Sequence, residues 1–130
     1  MRKSLTLPLL AAILFTIAAC DPYSSWEKSV VNNSTKDIII YTSSSGGGFT
    51  FEDSVIVAPS ENIVIYAVGE AVKSELSDCD LYISRLSVKT DSGFIVTKNI
   101  QDVANWESST TDADQGFDHG CVYTVTDSDI

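Results

Sequence analysis

The sequence predicts an all-β protein, an antiparallel β-sandwich of about seven strands. Short runs of β-branched and aromatic residues recur along the chain, and the clearest are DIIIYTS at 37–43 and NIVIYAV at 62–68. Turn-forming residues separate such runs at intervals of about 8–12 residues, the spacing typical of sandwiches. The run Ile38-Ile39-Ile40 does not alternate with polar residues, which indicates a strand that is covered on both faces or lies at a bend.

The strands are assigned in chain order from these runs and from the turns between them. The predicted strands are 27–32, 37–43, 49–58, 62–68, 81–90, 94–99 and 120–126. The segment 49–58 is either one strand or two, with the break at Glu52-Asp53-Ser54. Pro59 starts a turn because its ring fixes φ. The loop Asp91-Ser92-Gly93 places glycine last, a pattern that predicts a β-hairpin.

Three segments are predicted to be something other than strand. Residues 69–80 could form one or two helical turns and are the best candidate for a crossover connection. Residues 101–106 suit a short helical turn. Residues 107–119 are rich in Ser, Thr and Asp, and we expect a polar loop there.

The first twenty residues have the features of a secretory signal. Arg2 and Lys3 precede an apolar stretch of fifteen residues, shorter than the ~20 that a membrane-spanning helix needs. The stretch ends in Ile17-Ala18-Ala19-Cys20. This ending resembles the lipobox of bacterial lipoproteins, in which the cysteine is acylated and becomes the mature N-terminus. We therefore expect Cys20 to be lipidated.

This interpretation divides the chain into a lipoprotein signal peptide at 1–19, a lipid anchor with a short tether at 20–25, and a β-sandwich domain at 26–130. Acyl chains make stable membrane attachment reasonable, because each buried CH₂ contributes roughly 0.8 kcal/mol. We expect a lipid-anchored protein of the bacterial cell envelope, at the outer membrane in preference to the inner one. The periplasmic and external sides both stay open.

Two further cysteines, Cys79 and Cys121, lie within the predicted domain. Thiols outside the cytoplasm usually oxidise when geometry allows, so we expect one disulfide between them. Cys121, Tyr123 and Val125 share one face of the last predicted strand, which supports a buried bond. The alternatives are two separate free thiols or a metal pair, and a metal pair is disfavoured because the chain has one histidine and no Cys-x-x-Cys.

The chain carries 8 basic and 18 acidic side chains, which gives a net charge of −10. Removal of residues 1–19 would take away Arg2 and Lys3 and leave −12. Such acidity argues against a nucleic-acid partner, whose phosphates need Lys and Arg patches. A single histidine excludes a His-rich metal centre. We expect no metal and no cofactor.

The lipobox and four segments together resemble a known group of proteins. The segments are NNSTKDIIIYT, APSENIVIY, VTKNIQDVANW and the ending CVYTVTDSDI. With the lipobox they look like small uncharacterised lipoproteins of Bacteroides-type bacteria, and the similarity of pattern covers most of the mature chain. The resemblance implies a β-sandwich of Ig-like character. It implies no activity, and fold alone would not fix one.

Two constellations near the C-terminus could carry chemistry. Asp112, Asp114 and Asp118 stand at positions 1, 3 and 7 of a calcium-type loop, but the ligands expected at positions 5 and 12 are missing, so we interpret 112–118 as a solvated acidic loop. His119 lies two positions before Cys121, and a Cys–His nucleophile pair is the alternative to a surface histidine. We expect the surface histidine and assign no catalytic residue.

The candidate ligand contacts are Trp106, Ser45 and Gly47. Trp106 follows a short turn and precedes a polar loop, a place where an exposed ring could stack on a sugar. The alternative is a core position in which the indole N–H is hydrogen-bonded. Ser45 and Gly47 belong to the loop SSSGGG at 43–48, which lacks the Gly-Lys-Ser/Thr of a P-loop and suits a mobile hairpin tip.

These observations favour a non-enzymatic envelope lipoprotein with a binding or structural role. Its expected partners are the membrane, through the lipid anchor, and an envelope protein or glycan whose identity the sequence does not give. One alternative is a carbohydrate-binding accessory module, which needs a row of exposed aromatic side chains. Another is an acidic inhibitor of a basic secreted enzyme, which needs a clustered acidic face.

Overall fold

The protein is a sandwich of two β-sheets. A computed structural model describes residues 22–43, 46–70 and 79–130. Its strands are β1 (Ser24–Asn33), β2 (Ile38–Thr42), β3 (Ser54–Val57), β4 (Asn62–Glu70), β5 (Leu86–Thr90), β6 (Trp106–Ala113) and β7 (Gly116–Thr126). Short 3₁₀ turns lie at Ile83–Arg85, Val103–Asn105 and Asp127–Asp129. The described residues contain no helix long and apolar enough to cross a membrane.

One sheet has the strand order β4-β1-β7-β6 and the other the order β3-β2-β5. Every neighbouring pair is antiparallel except β1 and β7, which run parallel over the whole of β1 from Ser25 onward. The predicted sandwich of about seven strands is confirmed, with this parallel pair in the middle of its larger sheet. The first and last strands of the described residues are therefore direct neighbours.

The core lies between the sheets and is filled by the apolar strand residues. Fully buried examples are Val30 on β1, Ile38 and Ile40 on β2, and Val57 on β3. Tyr123 on β7 is also fully buried, and its hydroxyl donates to the carbonyl of Lys98 at 2.6 Å. Burial, with a smaller contribution from the charge of Asp129, raises the pKa of this phenol far above its usual range. Tyr123 is thus a neutral hydrogen-bond donor that fixes the core to the loop after β5.

Asn32 is a buried polar residue at the junction of the sheets. Its side-chain amide donates to the carbonyls of Lys36 and Val57, each at 2.8 Å. Its side-chain oxygen accepts from the backbone N–H and the hydroxyl of Ser34, at 3.0 and 2.7 Å. All of these partners are needed, because an unsatisfied buried amide costs about 1–3 kcal/mol. The network fixes the turn that carries the chain from β1 to β2.

Cys79 and Cys121 form a disulfide with a Cα–Cα distance of 5.7 Å, as predicted. Both residues belong to the hydrophobic core. The bond attaches the end of the connection after β4 to the inner face of β7. Most of that connection, the predicted helical crossover at 69–80, lies outside the described residues, while 69 and 70 are the last residues of β4.

The structure corrects several of the predicted segments. Of the predicted strand 81–90, only Leu86–Thr90 is a strand, and Ile83–Arg85 is a 3₁₀ turn. Residues 107–119 are not a loop, because they contribute most of β6 and the start of β7. Residues 94–99 are not a strand, and only Ile95 makes a bridge, to Lys89. The first strand begins earlier than predicted, at Ser24 and not at residue 27. The predicted turns at Gly93 and 101–106 are confirmed, by a φ of 82° at Gly93 and by the 3₁₀ turn Val103–Asn105.

Candidate functional site

The outer face of the four-stranded sheet is wider by one strand than that of the three-stranded sheet. Its register aligns outward-facing residues in three rows across β4, β1, β7 and β6. The rows are Gly69-Ser25-Asp118-Thr111, Ala67-Glu27-Gly120-Ser109 and Val64-Ser29-Val122-Glu107. Most of these side chains are small, so the sheet backbone lies close to the surface.

A continuous shallow groove, which we call the outer groove, crosses the first two rows. Over β1, β7 and β6 it has a volume of about 420 Å³ and is lined by Ser25, Glu27, Ser109, Thr111, Asp118, His119 and Gly120. Over β1 and β4 it continues with about 290 Å³, lined by Tyr23, Ser25, Trp26, Glu27, Ala67, Val68 and Gly69. Ser25 and Glu27 belong to both parts, so they lie at its centre.

Two glycines leave room for neighbouring side chains that line the outer groove. A Cβ on Gly69 would collide with the Tyr23 hydroxyl, and one on Gly120 would lie 2.8 Å from the Ser109 hydroxyl. The missing side chain at Gly69 lets the Tyr23 ring lie across β4 at the rim, where the residue is 53% exposed. Tyr23 is held there from its backbone, because its N–H donates to the carbonyl of Gln115 at 3.1 Å.

Hydroxyl groups support the two carboxylates of the outer groove. Ser25 donates to a carboxylate oxygen of Asp118 at 2.5 Å, and Ser29 donates to Glu27 at 3.3 Å. Each carboxylate keeps further acceptor positions, since an ionised carboxylate offers about four. The groove therefore presents oriented acceptors beside hydroxyls that can donate or accept. None of the twelve residues in the three rows is basic.

A smaller and more enclosed cavity lies on the inner side of β1 and β4. It measures about 110 Å³ and is lined by Trp26, Lys28, Tyr66, Val68, Glu70, Leu81 and Tyr82. The Lys28 ammonium lies 5.1 Å from the centre of the Tyr66 ring, a cation–π arrangement that helps to offset its burial. Burial, Tyr82 and Glu70 raise the pKa of the Tyr66 phenol, in that order of importance. The sequence did not predict that Lys28 would be buried against the Tyr66 ring.

Trp106, a candidate ligand contact, occupies the core position and not the exposed one. The ring packs in the core, with 6% of the residue exposed, and its N–H donates to the carbonyl of Ile100 at 2.8 Å. Trp106 also lies 5.4 Å from the ring of Tyr123. This is the alternative considered above, a core tryptophan with its polar atom satisfied, so Trp106 is not available to stack on a ligand.

The other two predicted contacts lie in the loop between β2 and β3. Gly47 is exposed and adopts φ = 68°, a left-handed conformation that suits glycine. Ser45 lies outside the described residues, as do the predicted signal peptide and Cys20, the predicted lipidation site. This loop does not border the outer groove in the described part of the chain.

His119 is buried, with 2% of the residue exposed, and the prediction of a surface histidine is wrong. Its ring stacks on Trp26 at 5.3 Å, and its Nδ1 lies 3.0 Å from the hydroxyl of Thr110. The physical reason is strand phase, because His119 shares the inward face of β7 with Cys121. Cys121 is held in the disulfide, so the two residues do not form a nucleophile–base pair.

Asp112, Asp114 and Asp118 do not come together as a calcium-type loop. The segment is a tight hairpin in which Asp112 pairs with Phe117 and Ala113 with Gly116. Within the described residues, no group of three or more His, Cys, Asp or Glu side chains is arranged to hold a metal ion. Only Asp118 of the three contributes to the outer groove.

Comparison with known proteins gives no match. The chain matches no protein-family model, no curated protein and no solved structure.

Proposed function

We propose that this protein is a lipid-anchored, non-enzymatic protein of the bacterial cell envelope that binds a ligand in the outer groove. The observation that carries the proposal is the groove itself, a face of small residues with two oriented carboxylates and an exposed tyrosine at its rim. We place the protein among the small β-sandwich lipoproteins of Bacteroides-type bacteria that its sequence resembles, at the outer membrane.

The ligand that best fits the groove is a glycan. Sugar hydroxyls pair with carboxylate and hydroxyl oxygens, which Glu27, Asp118 and Ser25 supply at the centre of the groove. Apolar sugar faces pack on aromatic rings, and the Tyr23 ring lies at the rim. The outer groove does not offer a row of exposed aromatic rings. Tyr23 is the one strongly exposed aromatic among the described lining residues.

A basic polypeptide is the second candidate, favoured by the charge of the same face. Its ionisable row residues are Glu27, Asp118 and Glu107, and the whole chain has a net charge of −10. Such a field would steer a cationic enzyme toward the groove. This interaction depends on long-range attraction, so salt would weaken it strongly.

Binding experiments with the full chain in non-ionic detergent test both candidates. A glycan array at low and high salt identifies a sugar ligand, and capture from envelope extracts identifies a basic protein. Tyr23→Ala should weaken glycan binding about tenfold, the loss of roughly 1.4 kcal/mol of ring contact. Phe94→Ala, which removes an aromatic of similar exposure that lies after β5 and outside the groove, should leave it unchanged.

A second pair of variants addresses the carboxylates. Glu27→Gln should weaken either ligand, whereas Glu52→Gln, an exposed carboxylate outside the groove, should not. Binding that responds equally to both variants would contradict a role for the outer groove.

The proposed anchor is tested separately. Intact mass of the membrane fraction should exceed the peptide mass by acyl groups, and Cys20→Ser should abolish both the added mass and the partition into detergent. A Cys20→Ser protein that still partitions fully would contradict the anchor while leaving groove binding unaffected.

A further inference from the structure

The outer groove lies at the end of the sandwich where β1 begins. That strand starts at Ser24, four positions after Cys20, the proposed lipidation site. A chain spans at most ~3.6 Å per residue, so Ser25 lies within about 18 Å of Cys20 and Glu27 within about 25 Å. Ser25 and Glu27 are the residues at the centre of the groove. A lipid on Cys20 would therefore keep the groove close to the membrane in any orientation of the domain.

Strand direction keeps the other groove residues at the same end. Because β1 and β7 run parallel, Ser25 lies beside Asp118 near the start of both strands, whereas Asn33 and Thr126 pair at the far end. The ten residues of β1 correspond to a length of about 30 Å. The first two rows of the outer face, which the groove crosses, thus lie at the end of the sheet nearest to the proposed anchor.

Tyr23 is the groove residue nearest to Cys20 in the chain, and 53% of it is exposed. Its position is fixed, because its backbone N–H donates to the carbonyl of Gln115 at 3.1 Å and its hydroxyl lies against Gly69. Tyrosine is enriched at membrane–water interfaces, since its ring is apolar and its hydroxyl is polar. We expect the Tyr23 ring to lie at the level of the lipid headgroups, with the groove open beside it.

The residues that line the groove favour one kind of lipid headgroup. None of the described lining residues is Lys or Arg, and two of them, Glu27 and Asp118, are carboxylates. An anionic phosphate would meet repulsion from these charges. An uncharged sugar instead offers hydroxyl donors to the carboxylates and an apolar face to the Tyr23 ring. The chemistry of the groove therefore favours a sugar headgroup over a phosphate headgroup.

We propose that the glycan bound in the outer groove is the uncharged sugar headgroup of a glycolipid, in the same membrane surface that holds the lipid anchor. This inference rests on the anchor and the glycan ligand of the proposed function, and it adds the source of that glycan. A short tether holds the groove at the headgroup layer, so the effective concentration of a membrane-borne sugar is high. A glycan dissolved in the surrounding water gains nothing from the anchor.

Amide chemical-shift titration of the acylated full chain in phosphatidylcholine nanodiscs tests the proposal. The discs contain increasing mole fractions of monoglucosyldiacylglycerol or monogalactosyldiacylglycerol. We expect saturable shifts at the amides of Ser25, Glu27 and Gly120 with these glycolipids, and none when phosphatidylglycerol is added instead. Equal shifts with phosphatidylglycerol would mean general contact with lipid and would overturn the proposal.

A longer tether separates this inference from the proposed function. A Gly/Ser linker of about thirty residues, inserted between Asp21 and Pro22, has a mean reach of ~30 Å and leaves the groove unchanged. Effective concentration falls roughly as the −3/2 power of tether length, so the half-saturating mole fraction of glycolipid should rise about tenfold. The half-saturating concentration of methyl glucoside or methyl galactoside, titrated in discs without glycolipid, should stay the same. An unchanged mole fraction would overturn the inference while leaving glycan binding intact.

A charge-matched pair of variants locates the sugar in the groove. Asp118→Asn should raise the half-saturating mole fraction about tenfold, the loss of one hydrogen bond to a charged group. Asp114→Asn removes the same charge from the turn before β7, outside the groove, and should change the mole fraction by less than about twofold. Equal effects of the two variants would overturn the proposal.

The remaining outcomes distinguish this inference from the proposals on which it rests. Binding of the methyl glycosides without binding of either glycolipid would overturn the inference alone. Binding of neither form would contradict the glycan ligand of the proposed function as well. A native chain without acyl groups would contradict the anchor and remove the basis of the inference.

Discussion

Reduction of the Cys79–Cys121 disulfide should lower the free energy of unfolding by about 4 kcal/mol. The bond joins residues 42 positions apart, and the chain-entropy model gives about 4 kcal/mol for a loop of this length at 25 °C. A domain of this size is stabilised by roughly 5–15 kcal/mol in total. The disulfide is therefore expected to supply a large share of the stability.

The measurement is urea unfolding of the same protein in oxidised and reduced form, followed by tyrosine and tryptophan fluorescence. Reduction keeps both sulfur atoms in place and so isolates the effect of the loop. Free energies should be compared directly, because reduction expands the denatured state and changes the m value. The double variant Cys79→Ala/Cys121→Ala should lose more than reduction does, since both cysteines are buried in the core and their truncation leaves a cavity.

A difference of less than about 1 kcal/mol between the oxidised and reduced forms would contradict this reasoning. It would mean that the denatured chain already holds the two segments together without the bond. Equal stability of the reduced protein and the double alanine variant would contradict the additional loss assigned to packing.

Three further predictions concern single residues. The backbone N–H and hydroxyl of Thr35 donate to Asp127 and lower the pKa of its carboxyl. The folded pKa lies below the unfolded one, so this stabilisation is present above about pH 4 and is lost as pH falls through the folded pKa. Urea unfolding should accordingly show the difference between the original protein and Asp127→Ala shrinking below that pH. Ser60 has φ = 66° in the turn after Pro59, so Ser60→Gly should raise the unfolding free energy by about 0.5 kcal/mol and Ser60→Ala should not. Trp106→Phe removes the hydrogen bond to Ile100 and should cost about 1–3 kcal/mol in the same assay without changing ligand binding in the outer groove.

Strands with strong local signals were predictable from the sequence. The β-branched runs correspond to β2 and β4. The prediction that Cys121 and Tyr123 face the core from the last strand is confirmed. Strand β6 was missed because it lies at the edge of its sheet, where residues 107–112 are exposed and polar on both faces. The alternation that placed Cys121 inward also applied to His119, so its burial could have been inferred had β7 been extended by a few residues.

The outer groove could not be predicted, because its rows depend on pairing between distant segments. Glu27 and Gly120 are neighbours only because β1 and β7 pair in parallel, and no local pattern specifies that pairing. The prediction of a strand at 94–99 was wrong for a related reason. Thr97 donates its N–H to the carbonyl of Asp129, and Lys98 reaches the carbonyl of Thr124. Contacts with the C-terminal segment therefore outweigh the local alternation that indicated a strand.

The adjacency of β1 and β7 constrains when the domain can fold. Ser25 and Asp118 are hydrogen-bonded neighbours although 93 positions separate them. Pairing across almost the whole domain carries a large loop-closure cost and makes folding slow. Until the last strand arrives, β1 can pair only with β4 in its sheet. A chain that emerges N-terminus first, from a ribosome or a translocation channel, must therefore stay non-native until its final residues are free, and any chain cut short before β7 cannot complete the larger sheet.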